Sequence, residues 1–129
     1  MVRGLAMRLL MLVISLLWAG LAASAETRLV MAEAEGCMWC ERWEAQIGPI
    51  YPKTPEGQTA PLMMVNARAP LPEGITLKRP IVYTPTFILT VDGQEIERIE
   101  GYPGEDFFWG LLGMMLKQAG LLSSILPSS

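Results

Sequence analysis

Cys37 and Cys40 are the only cysteines in the chain, and they enclose Met38 and Trp39. Directly after them, Glu41-Arg42-Trp43-Glu44-Ala45-Gln46-Ile47 reads as a helix, with Gly48-Pro49 to end it. Residues three apart on a helical turn carry Cβ atoms about 5–6 Å apart, and a disulfide wants its Cα atoms about 4.4–6.8 Å apart. The pair can therefore close to a disulfide or open to a dithiol with little backbone movement. A bridge around so small a loop removes little chain entropy. It is a poor structural bond and a good reactive one. The alternatives are a static disulfide, which would tie down only one turn, and a zinc site. Zinc needs four ligands, which two cysteines in a chain without histidine cannot supply.

In thiol–disulfide exchange the nucleophile is the thiolate. Cys37 falls at the helix start, where unpaired N–H groups and the dipole favour an anion. Its pKa is expected below the free value of about 8.5, which makes it the exposed attacker. Cys40, one turn in, is expected to be more buried and to resolve the mixed disulfide. Glu33, Glu35, Glu41 and Glu44 oppose the thiolate, Arg42 partly offsets them, and there is no histidine to stabilise it. The balance points to a pKa nearer about 7 than the value of about 3.5 found in strong dithiol oxidants. A less stabilised dithiol is the better reductant, so the residues lean towards a reductase. Trp39 either walls the approach of a substrate, with Met38 beside it, or packs at the helix start. Trp43, four residues on, reads as core.

The rest of the 129-residue chain must position that pair. Residues 1–25 read as a secretory signal peptide: Arg3 and Arg8, an apolar run from Leu9 to Trp18, and Ala23-Ser24-Ala25 as a small-x-small cleavage site. An uncleaved anchor is the alternative, but the apolar stretch of about 15 residues is short of the roughly 20 that span a bilayer. Residues 26–129 then form a single domain, large enough for one core. Without Arg3 and Arg8, eight basic residues face thirteen acidic ones, a net charge of −5. Such a surface offers nothing to nucleic acid. Exported cysteines usually become structural disulfides, yet a two-residue spacer suits exchange better.

Strands are predicted at 27–32, 62–67, 86–91 and 95–100. The last two are joined by Asp92-Gly93, the strongest short hairpin signal, and Glu95 to Glu100 alternates as a strand with one wet face. Residues 52–57 read as a turn-rich loop. Arg68 to Pro80 is broken by prolines and glycine and holds at best one short helical turn. Glu105 to Ala119 is a helix, acidic in its first turn, with Gly120 as its cap. Its many aromatic, leucine and methionine residues are core, with an excess that could dock a partner. The fold class is α/β: a mixed four-stranded sheet in the order β-α-β-(α)-β-β-α with flanking helices.

With Cys-x-x-Cys opening the first helix, Thr84-Pro85-Thr86 opening the third strand and an Asp-Gly hairpin, residues 27–120 resemble the thioredoxin fold. The resemblance implies that Pro85 is cis and lies against the disulfide, that Thr84 contacts the substrate chain, and that Tyr102 belongs to a groove-lining loop. The stretch Gly36-Cys37-Met38-Trp39-Cys40-Glu41-Arg42-Trp43 and the compact length are similar to the exported SoxS-type thioredoxins of bacterial sulfur-oxidation (Sox) clusters. That likeness implies a periplasmic thiol–disulfide oxidoreductase that reduces a partner protein, such as the cysteine of the SoxYZ sulfur carrier. It also implies a membrane electron donor of the DsbD or CcdA type, no cofactor or metal, and a monomer. Two departures from cytoplasmic thioredoxin stand out: Met38-Trp39 replaces Gly-Pro, and Met31 stands where a buried aspartate precedes the first cysteine. Glu33 or Glu35 either substitutes for that acid or is a solvated loop charge. One rival is a disulfide oxidase or isomerase, whose usual helical insertion Arg68–Pro80 is too short to hold. Another is a regulatory binding module with a static disulfide.

Overall fold

Leu29, Val30, Met31 and Ala32 are consecutive and all fully buried. A strand with apolar residues on both faces needs cover on both, which makes β1 (Thr27–Glu33) the centre of the sheet. The computed structural model describes residues 25–122 together with Gly4. The expected signal peptide and the C-terminal seven residues lie essentially outside that range. β1 pairs parallel with β2 (Leu62–Asn66) and antiparallel with β3 (Thr86–Val91), and β3 pairs antiparallel with β4 (Gln94–Glu100). The sheet order is β2-β1-β3-β4. Helix α1 (Met38–Gln46) connects β1 towards β2, and α3 (Glu105–Gln118) follows β4. The hairpin between β3 and β4 uses Asp92 at φ 51° and Gly93 at φ 77°, the two left-handed residues that a tight two-residue turn requires.

One face of the sheet carries the helices. Leu29, Met31, Phe87 and Leu89 meet Trp43 and Ile47 from α1 and its end, and Phe108, Leu112 and Leu116 from α3. Trp43 is the hub, with ring centroids 5.2 Å from Phe87, 5.6 Å from Phe108 and 6.0 Å from Tyr51. The opposite face carries no helix among the described residues. Val30, Ala32, Val65 and Ile88 are covered there by Leu71, Ile75, Leu77 and Ile81 of an irregular strap between β2 and β3. The bracketed helix of the predicted order is therefore replaced by apolar side chains hung from a proline-broken chain. That strap touches the sheet ladder only at the isolated bridge Thr76–Gln94.

Two local expectations are corrected. The segment read as a loop at 52–57 instead contains a 3₁₀ turn (Tyr51–Lys53) and a short helix α2 (Pro55–Thr59). Thr54 caps α2, its Oγ1 accepting from the Gly57 amide at 3.0 Å, and Pro55 occupies the first turn. Gly57 is needed for close approach, since a Cβ there would sit 1.8 Å from the Tyr51 carbonyl oxygen. The second correction concerns β4, which has no simple wet face. Its register shifts opposite Leu89/Thr90, so that Thr90 pairs with Glu95 and Leu89 with Glu97. Ile96 becomes the extra, exposed residue, while Glu95 and Arg98 are buried under the strap.

Candidate active site

Cys37 is the N-cap of α1, in an extended conformation that turns the chain into the helix. Its Sγ accepts the Cys40 amide at 3.2 Å, so one otherwise unpaired helix N–H points at the sulfur. The two cysteines are joined, with Cα atoms 5.3 Å apart, inside the range expected for three-residue spacing. Cys37 is half-buried and Cys40 only 2% exposed. The asymmetry is the one the helix position predicts.

The Thr84–Pro85 peptide is cis, as the resemblance implies. Pro85 is buried, and its carbonyl accepts the Gly101 amide at 2.7 Å, which ties it to the end of β4. Thr86 Oγ1 donates to the Tyr83 carbonyl at 2.6 Å and fixes the turn from the other side. Trp39, Tyr83, Thr84, Glu100, Gly101 and Tyr102 together line an open groove of about 400 Å³.

Sequence reasoning brought Trp39, Thr84 and Tyr102 to this place. Trp39, 46% exposed, forms a groove wall instead of packing at the helix start. The Arg42 guanidinium sits 4.9 Å from its ring centroid and holds the indole in place by cation–π attraction. Met38 is exposed but does not line the groove. Tyr102 contributes an edge while its body is buried, its hydroxyl donating to Gln46 Oε1 at 2.6 Å. Burial, and then the nearby Glu105 carboxylate, push its phenol pKa up. Trp43 is core, as read. Sequence reasoning missed Tyr83, 60% exposed, and Glu100, whose Oε1 accepts Arg79 Nη2 at 2.6 Å. The available signal for Tyr83 was an aromatic residue directly before Thr84-Pro85. Glu100 gave none beyond its place at a strand end.

Met31 is fully buried in the same cluster as Cys40. Of the two acids considered in its place, Glu35 is exposed and Glu33 is half-buried and interacts with Glu44 of α1. The Glu44 pKa is raised, first by partial desolvation and then by the Glu33 and Glu41 carboxylates.

Among solved structures, the periplasmic thioredoxin SoxS from Paracoccus pantotrophus, in its reduced form, is 51% identical to this chain. The match has a TM-score of 0.72 and covers 73% of this chain and 99% of that one. The chain belongs to the SoxS-type thioredoxins. No family model matches it, and no curated protein does so significantly. This SoxS-type thioredoxin is a thiol–disulfide oxidoreductase built around the Cys37–Cys40 pair.

In this SoxS-type thioredoxin the acidic surroundings carry a measurable consequence. A carboxyl whose folded pKa lies above its unfolded value favours the folded state below the unfolded pKa of about 4.3 and loses that advantage as the pH rises. Ionised Glu44 therefore destabilises the fold at neutral pH. Glu44→Gln should raise the Tm at pH 7 by an amount matching the roughly 0.2–1 kcal/mol of a surface charge contact. The gain should vanish below about pH 4, near the unfolded carboxyl pKa. Thermal melts of both proteins from pH 3 to 8 test it.

Proposed function

We propose that the protein acts as a periplasmic reductase of a partner protein. Cys37 thiolate attacks one sulfur of the partner's disulfide or cysteine adduct, and the other sulfur leaves as a thiolate. Cys40 thiolate then attacks Cys37 Sγ, frees the second partner thiolate and leaves the Cys37–Cys40 disulfide. Two electrons pass from the dithiol to the partner. The observation that carries the direction is the charge around the pair: Glu35 lies in the loop before Cys37 and Glu41 in the first turn of α1. Glu33 and Glu44 lie on the flanking elements, where desolvation and then the Glu33 and Glu41 carboxylates raise the Glu44 pKa. No histidine offsets them. A thiolate in that field is less stabilised, and the dithiol gives up its electrons more readily. The strap that replaces a helical insertion between β2 and β3 also favours a reductase over an oxidase or isomerase.

The partner in this reading is the cysteine of a SoxYZ-like sulfur carrier, as the family likeness around Cys37 and Cys40 implies. A membrane donor of the DsbD or CcdA type returns the electrons to a monomeric protein. No described helix is long and apolar enough to cross a membrane. Equilibration with thiol buffers tests the direction. A potential near about −270 mV, that of thioredoxin, supports the reductase, and one near about −120 mV, that of a strong oxidant, overturns it.

The groove is the partner's approach in the same reading, with Tyr83 and Trp39 as its aromatic walls and Thr84 and Pro85 presenting backbone. Tyr83→Ala should raise the KM for insulin reduction about tenfold, the effect of losing one aromatic anchor worth about 1–2 kcal/mol. Reduction of 2-hydroxyethyl disulfide, too small to span the groove, should keep its rate. Steady-state kinetics on the two substrates make the comparison.

A further inference from the structure

Arg98 and Glu95 are the most deeply buried charges among the described residues, each side chain 1% exposed, and the exchange chemistry does not use them. The guanidinium grips Glu95 with both ends, Nε to Oε1 at 2.6 Å and Nη2 to Oε2 at 2.7 Å. Its other N–H groups reach into the strap: Nη2 donates to the Arg79 carbonyl at 2.9 Å and Nη1 to the Pro80 carbonyl at 3.2 Å. Glu95 Oε2 in turn accepts the Lys78 amide at 2.7 Å. Lys78 Nζ donates to the Ile96 carbonyl at 2.6 Å. Three consecutive strap residues are thus stitched to β4 by one ion pair.

Stability alone does not call for such a device. Buried ion pairs are replaced by apolar residues with little loss, and often with gain. A forked guanidinium fixes direction as well as distance, however. Upstream the strap is paired at Thr76, whose amide donates to the Gly93 carbonyl at 2.8 Å and whose carbonyl accepts the Glu95 amide at 3.0 Å. Elsewhere it rests on Leu71, Ile75, Leu77 and Ile81, and apolar contacts of that kind hold residues beyond Thr76 down without setting their register. Five residues after Lys78 the strap becomes the groove wall at Tyr83. The side chain of Arg79, whose carbonyl Arg98 holds, pairs with Glu100, another residue of the groove lining. Arg98 Nη1 stands 3.7 Å from the same Glu100 oxygen.

We propose that Glu95 and Arg98 are positioning residues of the exchange reaction: they set the register of residues 78–85 so that Tyr83, Thr84 and Pro85 receive a protein substrate beside Cys37. The inference rests on the groove being the partner's approach. It assigns no contact with substrate to either residue. Their influence passes through backbone held at Lys78, Arg79 and Pro80.

The test is the double variant Glu95→Leu/Arg98→Met, which removes both charges together and leaves neither unpaired. With insulin as substrate, KM should rise about tenfold, within the roughly 10²-fold that a misplacement of about 1 Å costs a positioned site. The kcat, the rate on 2-hydroxyethyl disulfide and the reduction potential should match the wild type. Unchanged insulin KM, or an equal fall on both substrates, overturns the proposal. Tyr83→Ala is run alongside. If it raises insulin KM and the double variant does not, the positioning role alone is wrong. If neither moves KM, the groove reading fails and this inference with it. Should the double variant not fold, amide exchange of the wild type decides. The Lys78 amide should exchange only with global unfolding, and exchange at loop rates shows that the stitch holds nothing.

Discussion

A Cys37→Ser variant is expected to reduce insulin at the uncatalysed rate, a loss of more than about 10³-fold on the scale seen when an enzyme's nucleophile is removed. Serine keeps the shape, and its hydroxyl can still accept the amide that Cys40 directs at position 37. The loss is therefore chemical and not structural, and the Tm of the variant compared with reduced wild type should differ by no more than a few degrees. Cys40→Ser behaves differently. Its Cys37 is the half-exposed sulfur at the helix start and can still attack. The buried sulfur that would resolve the adduct is gone, so the mixed disulfide persists. Incubation with an oxidised protein substrate should give a covalent species of summed mass that dithiothreitol dissociates. Expressed in its native host, the same variant should capture the partner, and under the proposed function a SoxYZ-like carrier cysteine is the expected catch. A Cys37→Ser protein that retained full cellular function would instead mark a binding module whose disulfide is static. Capture by Cys37→Ser but not by Cys40→Ser would reverse the two roles.

The parts of the fold that short-range chemistry dictates were legible in the chain. Apolar runs gave β1, β2 and β3, and Asp92-Gly93 gave the hairpin because both residues tolerate the left-handed region it needs. The Cys37–Cys40 spacing gave the helix start and the difference in burial between the two sulfurs. The helix α2 was also written locally, in Thr54-Pro55 as cap and first turn, but the prolines on either side hid it among turn signals. What could not be read was set by distant segments. Three residues apart, Glu95 and Arg98 would point to opposite faces of a regular strand, and only the register shift at Ile96 brings both inward beneath the strap. The groove joins Trp39 of α1 to Tyr83 of the strap and Glu100 of β4. No periodicity within one element brings those three together. Thr84-Pro85 was found through family likeness, which carries long-range geometry that spacing does not.

Trp43→Ala should destabilise the protein by about 3–5 kcal/mol, the usual cost of deleting a fully buried large aromatic. That is a large share of the roughly 5–15 kcal/mol that holds a domain together, and the Tm should fall by more than about 10 °C. The indole touches Tyr51, Phe87 and Phe108 at once, so its removal opens a void between α1, the sheet and α3. Because Trp43 lies three residues after Cys40, the loss also loosens the turn that carries the cysteines. Trp43→Phe separates ring packing from polarity. The indole Nε1 is buried without a hydrogen-bond acceptor among the described residues, and an unmet buried donor costs about 1–3 kcal/mol. Phenylalanine removes that donor while keeping most of the ring, so its net cost should stay below about 2 kcal/mol, well under that of alanine. Urea melts followed by circular dichroism measure both. An alanine variant as stable as the wild type would show that Tyr51, Phe87 and Phe108 close over the space the indole leaves, and that the aromatic cluster is not held by Trp43.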